Sequence, residues 1–291
     1  MQSYHLSNDH LSVSISDKGA ELQSIVHSVT KLEYMWSGDP IFWGKKSPVL
    51  FPIVGGLKNN SYQFNDTRYQ LGRHGFARDR RFTVVEQSND SVLFSLSADA
   101  ESLLVYPFHF SFLVGYRLEG HTIHVTYKVE NTDDNDIFFS VGAHPAFAVP
   151  LVEGTVFEDY YLQFNEKEDT GIWPLSPDGL IKEEAMPFFH NNDQIPLRKS
   201  LFYGDALVFK SLRSTAISIV SDKHSHGLTL TYSGFPYMGI WSTKDADFVC
   251  IEPWCGIADS VNTIGTLETK EGIHQLAAGE SFERSWSLNV F

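Results

Sequence analysis

Apolar and polar residues alternate with a period of two at many points along this chain, which confines it to a β architecture. Leu11, Val13 and Ile15 alternate with Ser12, Ser14 and Ser16. Val92, Phe94 and Leu96 do the same beside Ser95 and Ser97. The longest run is Phe108, Phe110, Phe112, Val114, Tyr116 and Leu118, followed by Ile123, Val125, Tyr127 and Val129. Successive side chains of a strand point to opposite faces, so each run describes a strand with one buried face. The short Glu119-Gly120-His121 connection predicts a hairpin between the last two. Ile217 and Ile219, then Leu228, Leu230 and Tyr232, predict another across Asp222–Gly227, and Phe282 to Val290 a final strand.

Helical periodicity is scarce. Asp99 to Leu104 is read as a turn or two of helix before Pro107. The segment from Pro150 to Leu201 mixes Pro, Gly, Asp and Asn and is read as a long excursion with short strands, an embellishment of one domain. Many short strands with turn signals imply an all-β sandwich or barrel-like fold, and a chain of 291 residues fits a single domain spanning 1–291.

Composition excludes some functions. A formal net charge of −14 argues against nucleic acid, whose phosphates require a basic surface. No apolar run approaches the roughly 20 residues that span a bilayer, and MQSYHLSNDH lacks the pattern of a secretory leader, so no membrane partner is expected. Cys250 and Cys255 form no disulfide framework and are read as buried packing residues in a reducing cytoplasm. The 22 Phe, 12 Tyr and 6 Trp suit strands and, through their ring faces, sugars; a large sandwich core accounts for most of them.

Three stretches can carry chemistry. Arg73-His74-Gly75-Phe76-Ala77-Arg78-Asp79-Arg80-Arg81 gathers four arginines in an acidic protein, with Gly75 permitting close approach beside His74. For Arg80 and Arg81 a charged strand edge is the favoured reading; for His74 and Arg78 that reading and ligand contact stay open. In Val141-Gly142-Ala143-His144-Pro145-Ala146-Phe147 the proline holds His144 extended, with small neighbours beside it. That suits a proton donor facing a ligand, although the residues alone favour a structural histidine. In Cys250-Ile251-Glu252-Pro253-Trp254-Cys255-Gly256 the carboxylate stands among apolar neighbours, and desolvation would raise its pKa toward that of a general base. The C-x4-C spacing lacks partners for a zinc site, Val54-Gly55-Gly56-Leu57 lacks the ending of a phosphate loop, and no metal or cofactor is expected.

In order along the chain, Phe51-Pro52-Ile53-Val54-Gly55, His74-Gly75-Phe76-Ala77-Arg78, Gly142-Ala143-His144-Pro145-Ala146-Phe147 and Ile251-Glu252-Pro253-Trp254 resemble the aldose 1-epimerase (galactose mutarotase-like) superfamily, in its bacterial branch with H-G-F-A-R. The resemblance implies one large galactose mutarotase-like β-sandwich (a supersandwich) with the sugar on a concave sheet face. It implies a cofactor-independent isomerase that interconverts the α and β anomers of an aldose. Glu252 would be the general base, His144 the general acid and His74 a hydrogen-bond partner of the sugar oxygens. Arg78, Asp205 and either Trp241 or Trp254 would bind substrate, with core packing an equal account of each tryptophan.

The expected partner is a small sugar or sugar phosphate, and the expected state a monomer or weak dimer. One departure is visible: relatives usually carry arginine where Gly56 stands here, and Lys58 is the nearby substitute to consider. A hexose-6-phosphate mutarotase and a non-catalytic carbohydrate-binding or regulatory module are the alternatives. A two-carboxylate glycosidase or a lyase is the weakest reading, since Glu252 has no evident second carboxylate.

Overall fold

The computed structural model describes residues 2–291, and the fold it shows is all-β. Among these residues a nine-stranded antiparallel sheet runs in the order Asn192–Pro196, Tyr160–Glu168, Ala216–Ser221, Leu228–Thr231, Ser281–Val290, Thr122–Asn131, Phe110–Glu119, Ser91–Ser97, Thr83–Gln87. Both expected hairpins form: Glu119 faces Thr122 across the Gly120-His121 turn, and Ile219 faces Leu228. The expected helix is a single turn, Ala100–Leu103, closed by a capping box between Asp99 and Ser102.

A second sheet of five strands faces the first. Phe248–Cys255 runs through it, flanked on one side by Tyr237–Trp241 and then Leu207–Lys210, and on the other by the short strands Val141–Gly142 and Ala146–Ala148. The two-residue period divides its faces. Val249, Ile251 and Cys255, with Met238, Ile240, Leu207 and Phe209, turn into the main hydrophobic core together with Val125, Ile217 and Leu230 of the large sheet. The intervening Cys250, Trp254, Val208 and Trp241 belong to two smaller clusters on the opposite face. All eight residues of Phe248–Cys255 are buried, because both faces of that strand are covered.

The segment 150–201 is a correction to the expectation. Rather than an embellishment, it supplies two strands of the large sheet, including its nine-residue Tyr160–Glu168. Tyr160, Leu162 and Phe164 are buried at alternate positions, a period-two signal that the surrounding Pro and Gly obscure. No helix among the described residues is long and apolar enough to cross a membrane.

Candidate active site

The outer face of the five-stranded sheet floors a cavity of about 560 Å³, a size suited to a small ligand. Register explains its centre. Gly142 faces Trp254 and Ala146 faces Cys250, so the interrupted stretch between the two short strands brings His144 directly opposite Glu252. Pro145 and Pro253 remove amide donors from this stretch, and the remaining links are Ala143 N–H to Pro253 O and Ile251 N–H to Pro145 O. Directly opposed residues share a sheet face. His144 Nε2 accordingly lies 3.3 Å from Glu252 Oε2.

Burial sets the proton balance of this pair. Glu252 is 2% exposed, and removal from water pushes its carboxyl well above the usual range. His144 is pushed down to about 3, chiefly by burial and then by the Arg78 charge. Trp43 stacks on the His144 ring at 4.9 Å, while Trp241 and His74 meet it edge-on, both at 5.6 Å. The Nδ1 atom of His144 is buried without a hydrogen-bond partner, as is the Trp254 indole nitrogen.

His74 is delivered by a loop with an unusual backbone. His74 and Gly75 both have positive φ, 67° and 70°. At Gly75 a Cβ would stand 2.2 Å from Phe51 O, so no other residue fits without moving backbone. His74 N–H donates to Gly55 O, and Gly55 N–H donates to His74 Nδ1 at 3.1 Å. An accepting Nδ1 on a neutral ring leaves the proton on Nε2, which therefore presents a donor. The ring stays neutral because burial, then the His144 and arginine charges, hold its pKa well below the ordinary value.

All seven residues singled out from the sequence line this one cavity: His74, Arg78, His144, Asp205, Trp241, Glu252 and Trp254. Arg78 sits in the 3-10 turn Ala77–Asp79, its nearest carboxylate the Asp79 side chain at 3.9 Å. Asp205 lies in the loop before Leu207–Lys210 with a strained φ of 123°, lines the cavity, and accepts a hydrogen bond from Ala206 N–H at Oδ1. Arg80 and Arg81 stay outside, pairing with Glu101 and Asp17 as a charged edge would. Lys58 does not stand in for an arginine at 56: its Nζ donates to Val261 O, and it is absent from the cavity lining.

Sequence reasoning passed over Trp43, Arg73, Gly179 and Tyr203, which also line the cavity. Trp43 and Gly179 lie in irregular segments without periodicity, and only Arg73, inside the arginine-rich stretch, carried a signal. Cys250 and Cys255 are free and buried, as packing residues would be. Among the described residues, His144, Cys250 and Glu252 hold ligand atoms within 4.8 Å of one another. Burial, before any effect of Glu252, pushes the Cys250 thiol well above its ordinary range.

Comparison with known proteins bears on the family and the fold. The aldose 1-epimerase family model matches residues 2–287. The chromosomal protein LacX of Lactococcus lactis subsp. lactis is 35% identical over 98% of both chains. A galactose mutarotase related enzyme from Lactobacillus acidophilus superposes with a TM-score of 0.94 at 36% identity, covering 100% of this chain and 97% of its own. A galactose mutarotase-like protein from Lactobacillus casei gives 0.92 at 31% identity over 100% of both.

Proposed function

The chain belongs to the aldose 1-epimerase family, and on that footing we propose that it is a mutarotase acting on a small aldose. The observation that carries the proposal is the contact between His144 Nε2 and Glu252 Oε2, 3.3 Å apart on the floor of a tryptophan-walled cavity. Trp43, Trp241 and Trp254 offer apolar surface to the C–H faces of a pyranose, and Arg78 and Asp205 offer a donor and an acceptor to its hydroxyls.

Mutarotation needs a base at the anomeric hydroxyl and an acid at the ring oxygen. Between them Glu252 and His144 hold one proton, and the directions of their shifts leave it on Glu252 in the empty site. Transfer of that proton to His144 across their contact creates carboxylate and imidazolium together. Glu252 then removes the O1 proton, C1=O forms, and the C1–O5 bond breaks. The electron pair left on O5 takes the proton from His144. The pair has returned to its neutral form, and the open-chain aldehyde rotates about C1–C2. Closure on the other face reverses each transfer, so protons and electrons balance over the cycle. His74 Nε2–H donates to a sugar oxygen and steadies developing negative charge without changing its own protonation. We place this activity in one domain spanning 1–291, in the cytoplasm, where two buried thiols remain reduced.

The test is exchange NMR of anomer interconversion over a panel of aldoses, with Glu252→Gln as control. Acceleration of one or more sugars, lost in the variant, is the expected result. No acceleration of any aldose by the native chain would overturn the proposal and leave a carbohydrate-binding module.

A further inference from the structure

Asp259 and Lys270 form an ion pair removed from water, Nζ 2.9 Å from Oδ1, with side chains only 3% and 2% exposed. Neither residue lines the cavity. A buried pair of this kind repays little beyond its own desolvation, and apolar residues of similar size would serve the fold about as well. Its value lies in what it holds in place.

Lys270 Nζ also donates to Ile257 O at 2.6 Å, so one ammonium closes segment 257–259 from within. Asp259 in turn grips the neighbouring segment on both sides of Leu57. Its backbone N–H donates to Gly56 O at 2.8 Å, and its Oδ2 accepts the Lys58 N–H at 2.9 Å. Beside these bonds Ala258 packs on Gly55, where a Cβ would stand 2.5 Å from the Ala258 Cβ. The φ of +75° at Gly55 likewise suits glycine. That same Gly55 accepts the His74 N–H and donates its own to His74 Nδ1. An unbroken run of bonds and close contacts therefore leads from Lys270 through Asp259 and segment 55–58 to the imidazole.

We infer that Asp259, clamped by Lys270, is a positioning residue for the reaction: it fixes segment 55–58 and, through the Gly55 amide, the Nε2 donor of His74. The inference rests on the mutarotase reading and adds to it a support that touches no substrate. A main-chain amide is only as well placed as the segment that carries it. Misplacement of a reacting or donor group by about 1 Å can cost about 10²-fold in rate.

The experiment measures kcat and KM by exchange NMR on the full chain, with Tm measured alongside. The variants are Asp259→Asn, Lys270→Met and the double Asp259→Leu with Lys270→Met, each also made together with His74→Ala. Lys270→Met leaves a buried charge unpaired and should lower Tm most, whereas the double variant removes both charges and should recover it. The rate should not recover with it: kcat should stay about tenfold or more below that of the native chain, with KM little changed. Together with His74→Ala, the same substitutions should change kcat by less than about twofold, because the donor they displace is already gone. Recovery of kcat along with Tm, or equal losses with and without His74, overturns the inference and leaves a pair that serves the fold alone. Asp259→Asn, the smallest change, carries the same comparison if the double variant does not fold. If no aldose is turned over at all, the mutarotase reading has failed separately, and the ring nitrogens of His74 become the readout. Their NMR resonances are identified by their loss in His74→Ala. In the native chain Nδ1 should appear as a hydrogen-bonded acceptor and Nε2 as protonated; Asp259→Asn should move Nδ1 toward a free acceptor. A His74 pattern unchanged by Asp259→Asn would overturn the inference without reference to turnover.

Discussion

Gly55 donates its backbone N–H to Nδ1 of His74, and this one bond at 3.1 Å decides what His74 offers a ligand. A neutral imidazole that accepts at Nδ1 donates at Nε2. His74→Ala should therefore remove a fixed donor facing the cavity and lower kcat/KM by about 10²–10³, as loss of a preorganised donor does elsewhere. Because burial holds its pKa well below the ordinary imidazole value, His74 should contribute no limb of its own to a pH–rate profile near that value. A fall in rate below tenfold would remove His74 from the working set.

Gly75 is the hinge of that delivery. Its φ of +70° and the 2.2 Å approach of a Cβ to Phe51 O leave alanine no accommodation short of backbone movement. Gly75→Ala should cost about 1–3 kcal/mol, seen as a Tm lowered by several degrees. Turnover should fall along with it, because His74 leaves its position. A variant with native Tm and native turnover would contradict the steric argument.

The acid and the base should separate from the binding residues by kinetics. His144→Asn and Glu252→Gln each leave the cavity walls in place, so sugar affinity should change by only a few fold while kcat falls by about 10²–10⁴. Equal losses in affinity and turnover would make these residues binding contacts instead. Retention of binding by a dead Glu252→Gln variant would also exclude a module that only binds.

The pH dependence follows from the single proton that the pair shares. Activity is lost when a second proton is added, which titrates His144, and when the only proton departs, which titrates Glu252. The first lies near 3 and the second above the ordinary carboxylate range, so the shifts move the two limbs of kcat/KM apart. The expected profile is a plateau with an acid limb far below the usual imidazole value. An acid limb near 6.5 would mean that His144 is not desolvated as its surroundings require.

Much of this was legible in the sequence, for identifiable reasons. The hairpin of Phe110–Glu119 with Thr122–Asn131 is local, and its alternation declares both strands and the buried face. Proline after His144 and after Glu252 marked both as extended residues beside small or apolar neighbours. That the two face each other is a matter of register between segments more than a hundred residues apart, and no local pattern encodes it. The strand Tyr160–Glu168 was hidden by the turn-forming residues around it. The Arg73–Gly179 contact and the Trp43–His144 stack join loops to loops, where periodicity says nothing.

On the proposed mechanism Glu252 also links catalysis to stability. Its carboxyl in the folded chain sits well above the ordinary value of 4.5, chiefly because burial disfavours the charged form. Below 4.5 both folded and unfolded chains hold the proton, and there is no cost. Above 4.5 the unfolded chain releases it while the folded chain keeps it, so the folded state binds more protons and loses stability as pH rises toward the folded value. Glu252→Gln replaces that carboxyl with a group that cannot ionise and so removes the pH-dependent cost. The variant should melt at a higher temperature than the native chain at pH 8, with a smaller gain at pH 5. Thermal unfolding of both proteins at the two pH values checks this. A gain that is the same at both, or larger at pH 5, would show that Glu252 is ionised in the folded protein. The proton shared with His144 would then have to reside on the imidazole before any sugar arrives.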